Sequence, residues 1–313
     1  MTYVASQSHV RRDLRPEPEL PFEPSGARNA ALTAAARWLH RRGWLWRLNF
    51  AVAGKLGGRP LRVPFRFGSG WEHLRMREVW LFKALQRVMQ ERAGALIDVG
   101  VNVGHTLIKV KTADPARDYI GFEPNPQCLQ YAQHLIQANG YTRCTLVPVA
   151  ISSRTGLVKL LQNSDVDPSA TIVEGFREPE RYEHATLVPV VRGDEALEDL
   201  GARQIAAIKI DVEGGELDVL QGLERTIQST APCVFCEVLP VFDANTDMGR
   251  FRLRRQSALR EWLAGNDYTI FRCEGDATMH ELDDFGVHAD LRLANYVFVP
   301  RGEMNAFKRQ FAA

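Results

Sequence analysis

Four acids stand at the ends of short apolar runs, where a polar ligand could meet them. Asp98 opens the stretch Asp98-Val-Gly-Val-Asn-Val-Gly104, and Glu123 closes Gly121-Phe-Glu. Asp211 follows Ile208-Lys-Ile, and Glu237 closes Cys233-Val-Phe-Cys. In open α/β sheets, ligands bind outside the carboxyl ends of the strands, so acids at strand tips are candidates for site residues. The stretch from Asp98 to Gly104 reads as a glycine turn between a strand and a helix, the context of a nucleotide-binding loop. Gly100 allows a tight turn. Asn102 stands where many such loops carry glycine, and asparagine is the next most tolerant residue of positive φ. Gly104 permits close approach of the backbone to a ligand, and the following helix points its free N–H groups the same way. A glycine turn also joins strands to helices for packing alone.

Glu123 adds to this pattern. An acid about twenty residues past such a turn, at the tip of the second strand, suits both hydroxyls of a ribose. Asn125-Pro126 then reads as a helix cap followed by proline at the first helical position. Asp211 and Glu213 lie just past a third apolar strand, in Ile208-Lys-Ile-Asp-Val-Glu-Gly-Gly-Glu216. Strand alternation puts Lys209 and Asp211 on one face. A buried lysine needs a carboxylate, which Asp98, Asp211 or Glu237 would supply. Glu216 is accounted for by the dipole of the helix it opens. Cys233 and Cys236, three apart in a strand, point to opposite faces and read as core residues.

These positions need elements to hold them. Short apolar runs alternate with helical patterns at Ala95–Val99, Tyr119–Phe122, Thr145–Ile151, Ile205–Ile210, Cys233–Val238, Tyr268–Phe271 and Asn295–Pro300. That alternation predicts an α/β fold with a mostly parallel sheet covered on both faces. Residues 93–313 form the main domain in this reading. Residues 1–28, polar and rich in Pro, Glu and Arg, read as a flexible arm. Residues 29–92 read as a helical extension, helical over 29–57, with a short strand at 62–67 and a helix over Trp71–Arg92. Trp38, Trp44 and Trp46 sit among arginines. They fit a helix that packs its tryptophans on the main domain; a weak peripheral membrane contact through residues 37–47 and a homodimer surface are the alternatives.

The chain has 313 residues with 39 basic and 38 acidic side chains, a net charge of +1. This balance gives no global case for nucleic acid. No apolar run approaches the length of a membrane span or a secretory signal, and five cysteines in so long a chain read as reduced thiols, so a cytoplasmic location is expected. There is no phosphate loop, HExxH or GxSxG motif, and no tyrosine followed four residues later by lysine.

The ordered motifs DVGVNVG (98–104), FEPNP (122–126), VAIS (149–152), IKIDVEGGELDVLQG (208–222), PCVFCEV (232–238) and NYVFVP (295–300) resemble the FkbM family of S-adenosylmethionine-dependent methyltransferases. Val101 departs from the alanine common in that family. The resemblance implies a Rossmann-like class I methyltransferase fold, a seven-stranded sheet with its last strand antiparallel, and the N-terminal extension lies outside it. It implies methyl transfer to a hydroxyl of a sugar, glycan or secondary metabolite. On this reading Asp98 orders the glycine loop or contacts the amino-acid end of S-adenosylmethionine, Gly100, Asn102 and Gly104 shape the loop around that end, Glu123 holds the ribose, and Pro124, Val149, Ala150 and Ile151 wall the adenine. Asp211 is also placed against the cofactor.

An alcohol must lose its proton, and a positioned base helps. Asp211 and Glu237 are the first candidates and Glu213 the third, with His105 and His288 outside them. Asp194, Asp211, Glu213 and Glu237 could instead gather a divalent cation, but a metal is not expected. The run Arg250, Arg252, Arg254, Arg255 and Arg260 reads as a solvated helix face, with a phosphate clamp as the alternative. A polar insertion over 163–185, with Arg177, Arg181 and His184, would shape the acceptor pocket. The competing readings are a nicotinamide-dependent oxidoreductase on the same turn and a catalytically silent nucleotide-binding module.

Overall fold

The computed structural model describes residues 18–66, 68–164, 166, 167, 169–176, 182–275 and 277–311. The chain enters through two short strands, β1 (Leu20–Pro21) and β2 (Glu23–Pro24), before helix α1 (Gly26–Arg41). A hairpin follows, β3 (Phe50–Leu56) and β4 (Arg59–Phe65), turned by Gly57 and Gly58 at positive φ. β2 joins β3 in a three-stranded antiparallel sheet, and β5 (Arg75–Met76) pairs with β1. α2 (Val79–Glu91) leads into the main domain.

This layer differs from the helical extension expected. The helix stops at Arg41, just before Gly43 at φ 66°, and Val52, Gly54 and Leu56 are buried with the period of two that makes a strand. The helix expected from Trp71 forms only from Val79. Trp71–Leu74 is a 3₁₀ turn, Arg75–Met76 is paired, and Glu78 sits in the left-handed region at φ 51°. Of the expected arm, residues 1–17 lie outside the described residues, while Leu20–Pro24 is paired and residue 28 lies within α1. Trp38, Trp44 and Trp46 do not pack on the main domain. Ala36 and Leu45 take the inward positions and the three indoles stay exposed.

The main domain runs β6 (Ala95–Val99), α3 (His105–Ala113), β7 (Tyr119–Phe122), α4 (Pro126–Asn139), β8 (Cys144–Val147), β9 (Ala150–Ser152), β10 (Gly156–Gln162) and β11 (His184–Arg192). It continues through α5 (Gly193–Asp199), β12 (Ile205–Ile210), α6 (Glu216–Gly222), α7 (Glu224–Thr230), β13 (Cys233–Glu237), α8 (Asp247–Gly265), β14 (Tyr268–Glu274), β15 (Thr278–Leu282), β16 (Asn295–Pro300) and α9 (Met304–Phe311). The principal sheet has the order β15-β14-β16-β13-β12-β6-β7-β8. It is parallel from β13 to β8, while β16 runs antiparallel to both β13 and β14. This is the mostly parallel α/β sheet expected, with one strand added. The sheet has eight strands rather than seven, because β14 runs on to Glu274 and turns back at Gly275 into β15.

The run Thr145–Ile151 divides. Pro148, which has no N–H for a ladder, separates β8 in the principal sheet from β9, which pairs with β11 in a second sheet alongside β10. Both faces of the principal sheet are covered. Leu96 and Cys233 belong to a core with α2, α3 and the N-terminal layer; Ile97 and Cys236 belong to another with α6, α7 and α8. The two cysteines thus fall on opposite faces, as their spacing predicts. Among the described residues no helix is long and apolar enough to cross a membrane.

Candidate functional site

The carboxyl ends of β6 and β12 lie side by side, with Asp98 opposite Lys209 and the Asp211 N–H donating to the Val99 carbonyl over 3.0 Å. From β6 the chain crosses one way to β7 and from β12 the other way to β13, so the crevice between them is the topological switch point of the sheet. A cavity of about 380 Å³ opens there. Gly100, Asn102, Glu123, Pro124, Ala150, Ile151, Asp211, Glu213 and Glu237 all line it. Its size is within the range of ordinary ligand pockets.

Glu123 joins the two halves of the loop system. Its Oε2 accepts the Asn102 N–H at 2.7 Å and its Oε1 accepts the Asn125 N–H at 2.8 Å. Burial pushes its pKa up to about 7 against the pull of these two donors. Asn102 has φ 49°, the left-handed conformation expected of it. Asn125 caps α4, its Oδ1 accepting from Gln127 and Cys128, with Pro126 at the first helical position. Gly100 is required by packing, because a Cβ there would lie 2.0 Å from the Asp211 carbonyl oxygen.

Three expected cofactor contacts stand outside the cavity lining. Asp98 is fully buried, and the Tyr119 hydroxyl donates to its Oδ2. Burial raises its pKa to about 7. Gly104 has φ 90° and precedes α3; a Cβ there would meet Leu135 at 3.0 Å, so it serves helix packing. Val149 packs, half-buried, against the core beneath α6.

The acidic end of the cavity is held by two lysines. Lys209, 4% exposed, forms an ion pair with Asp211 Oδ2 at 3.2 Å and donates to the Ile210 carbonyl at 3.4 Å. Burial opposes its charge, but Asp211, Glu78, Glu237 and Asp98 outweigh that penalty and hold its pKa above the ordinary value. The Asp211 charge, with burial second, holds the Glu237 carboxyl well above the usual carboxylate range. Lys109 donates to Glu78 Oε2 at 2.8 Å and, against burial, draws the Glu78 pKa down to about 2. His105 lines the cavity, and burial followed by Lys109 lowers its pKa to about 4, so it is neutral at neutral pH. It packs on His73, whose Nε2 lies 3.0 Å from the Val103 carbonyl oxygen.

Sequence reasoning missed Arg77 and Glu78, which line the cavity from the start of α2. The only signal was an ion pair's worth of charge before an apolar helical run. The insertion does reach the cavity: Asp167, Ala170, Thr171 and Ile172 line it, and the Thr171 hydroxyl donates to the Glu213 carbonyl at 2.7 Å. Arg177 and Arg181 lie outside the described residues. His184 begins β11 on the surface, and His288 does not line the cavity.

The arginine run is not a solvated face throughout. Arg252 is buried, donates to the Pro240 and Phe176 carbonyls, and lies over the Phe176 ring. Arg255 pairs with Asp218. These contacts clamp α8 to the insertion and α6. Asp194 is elsewhere too, accepting the Arg225 and Thr226 N–H groups in the first turn of α7. Among the described residues no group of three or more His, Cys, Asp or Glu could hold a metal ion.

Against known proteins, the model of the methyltransferase FkbM domain matches residues 98–270, more than half of the chain. The match begins at Asp98 and contains every acid discussed above except Glu78. The hexuronic acid methyltransferase AglP of Haloferax volcanii is 28% identical over 164 residues, covering 49% of this chain and 64% of that protein. The 2-O-methyltransferase NoeI of Sinorhizobium fredii is 27% identical over 146 residues, covering 43% of this chain and 59% of that protein. The chain thus matches less than two thirds of the length of either relative. A crystal structure of methyltransferase FkbM from Methylobacillus flagellatus overlaps 66% of this chain and 43% of that chain, at 18% identity and a TM-score of 0.41.

Proposed function

The chain belongs to the FkbM methyltransferase family, and from that premise we propose that it is an S-adenosylmethionine-dependent O-methyltransferase acting on a hydroxyl of a sugar or glycan. The observation that carries this reading is the placement of Glu123. Its carboxylate is fixed by two loop N–H groups on the wall of the same cavity that Asp211 and Glu237 line. Each of its oxygens has a second lone pair to offer a ribose hydroxyl. Pro124, Ala150 and Ile151 supply apolar surface beside it, as an adenine requires. The sugar as acceptor is favoured by the names of the two relatives, a hexuronic acid methyltransferase and a 2-O-methyltransferase.

S-adenosylmethionine supplies an electrophilic methyl group when bound. The chain's own residues then have to orient the acceptor oxygen and take its proton, and positioning alone is worth a large part of such a barrier. Asp211 is the proton acceptor in this reading. Lys209 pairs with its Oδ2, and Oδ1 takes the proton. Glu237, held protonated by the Asp211 charge, orients the acceptor oxygen by hydrogen bonding. Glu78 and Arg77 close the cavity from the N-terminal layer.

Calorimetric titration of the protein with S-adenosylhomocysteine, with NAD in parallel, tests the cofactor. Micromolar binding of the first alone, about −8 kcal/mol, is expected. Binding of NAD alone would make the protein an oxidoreductase, and binding of neither would leave the silent module. Transfer of labelled methyl groups to uronic acids and neutral sugars then tests the acceptor.

A further inference from the structure

The exposed tryptophans of the N-terminal layer form one patch. Trp38 lies in the last turn of α1 and Trp44 and Trp46 lie in the segment after it, at 45%, 40% and 62% exposure, with Leu48 beside them at 49%. Trp38 and Trp44 meet edge to face at 5.8 Å. Arg42 lies over Trp38 at 4.4 Å and over Trp44 at 5.7 Å, and Arg47 lies over Trp44 at 5.6 Å and Trp46 at 5.2 Å. Large indoles held open to water by guanidinium groups are costly unless something covers them.

Charge says what covers them. From Pro24 to Trp71 the chain carries nine arginines and lysines and no aspartate or glutamate, although its net charge is only +1. The occupant is therefore anionic. A second copy docking the same patch would bring like charge against like. Single-stranded nucleic acid would need free ring faces for base stacking, and here an arginine already lies over each of the three indoles. Indole edges, an exposed leucine and arginines together are the composition of a bilayer interface, where tryptophan sits at headgroup level and arginine meets anionic lipid.

We propose that the patch from Trp38 to Leu48 seats this protein on an anionic lipid surface. The patch is continuous with the cavity wall. His40 of α1 stacks on Trp71 at 4.5 Å, and His73, in the same turn, packs at 4.8 Å on His105, which lines the cavity. A surface engaged through α1 thus holds the layer that carries Arg77 and Glu78.

Co-sedimentation of the full chain with vesicles tests this. The protein should pellet with phosphatidylcholine vesicles containing phosphatidylglycerol, stay largely in solution with phosphatidylcholine alone, and release as salt is raised. The double variant Arg42→Gln/Arg47→Gln should partition roughly tenfold more weakly or worse, since each basic residue near an anionic surface contributes about fivefold. Trp38→Ser/Trp46→Ser should lose binding to a similar degree, with circular dichroism showing both variants folded. Failure of the wild type to pellet with either vesicle overturns the proposal, as does equal pelleting of both variants. It is also overturned if light scattering shows a dimer that these variants dissociate, or if a single-stranded oligonucleotide is bound through the same residues and displaces the protein from vesicles.

Discussion

The Asn102 N–H donates to Glu123 Oε2 over 2.7 Å, tying the turn after β6 to the tip of β7. The turn can make this bond because Asn102 takes a left-handed conformation. The second carboxylate oxygen does the same for Asn125 at the cap of α4. One side chain therefore sets the shape of the loop and remains available to a ligand.

Replacing Glu123 by Gln tests this double role. The amide nitrogen would face one of the two N–H donors, so a charged hydrogen bond is lost and a donor is left opposed. A loss of about 2 kcal/mol, roughly thirtyfold in the dissociation constant of S-adenosylhomocysteine, is expected. Calorimetry on the folded variant reads it directly. Unchanged affinity would remove Glu123 from the cofactor site.

Asp211 and Glu237 should separate by variant. Asp211→Asn should lower kcat by roughly a hundredfold to ten-thousandfold, the range of a lost general base, while leaving S-adenosylhomocysteine affinity nearly unchanged. Glu237→Gln replaces a protonated carboxyl by another neutral donor. Its loss near pH 7 should be smaller, below about tenfold. If the two variants fall equally, Asp211 is not the distinct proton acceptor.

The strands of the principal sheet were legible because buried parallel strands read as unbroken apolar runs. Ile205–Ile210 and Asn295–Pro300 have the expected bounds for that reason. The cavity's glycine turn, Glu123 and Asp211 were legible because they sit at strand tips. The N-terminal layer was not. Its outer strands β1, β2 and β5 have two residues each and pair with segments far along the chain, as Leu20–Pro21 does with Arg75–Met76, and local periodicity does not record such pairing. Arg77 and Glu78 reach the cavity only through that layer. Asp98 shows the opposite case: its position in the motif was plain, but the inward-facing register of β6 and the Tyr119 hydroxyl opposite it are tertiary facts.

Gly100 should tolerate no side chain. Its φ of 91° disfavours any other residue, and a Cβ would press on the Asp211 carbonyl oxygen, a backbone atom that the sheet holds in place. Gly100→Ala should cost about 2 kcal/mol or more of stability and displace Asp211 along with the turn. Chemical denaturation together with methyl transfer measures both effects. A variant of wild-type stability would mean that the loop relaxes freely.

Stability should fall as pH rises above about 6.5. Burial raises the pKa of Asp98, Glu123 and Glu216 to about 7, and the Asp211 charge with burial raises that of Glu237 further. A carboxyl whose pKa is higher folded than unfolded binds its proton more tightly in the native state. Its contribution is complete below the unfolded value and is lost as pH rises through the folded one. His73 and His105 act in the opposite sense, since burial lowers both; their contribution is complete above about 6.5 and is lost as pH falls. The two sets oppose each other between roughly pH 4 and 6.5; above that the carboxyls act unopposed, and the Cys128, Cys233 and Cys236 thiols, whose pKa burial raises, add to the decline toward pH 9. The ligand-free protein should therefore melt lower at pH 9 than at pH 6.5, by about 5 °C or more. Glu237→Gln, which removes the group titrating highest in this set, should flatten the upper part of that decline. A melting temperature that rises with pH over this interval would show that these carboxyls are ionised in the folded state and that the Asp211 charge does not hold Glu237 protonated.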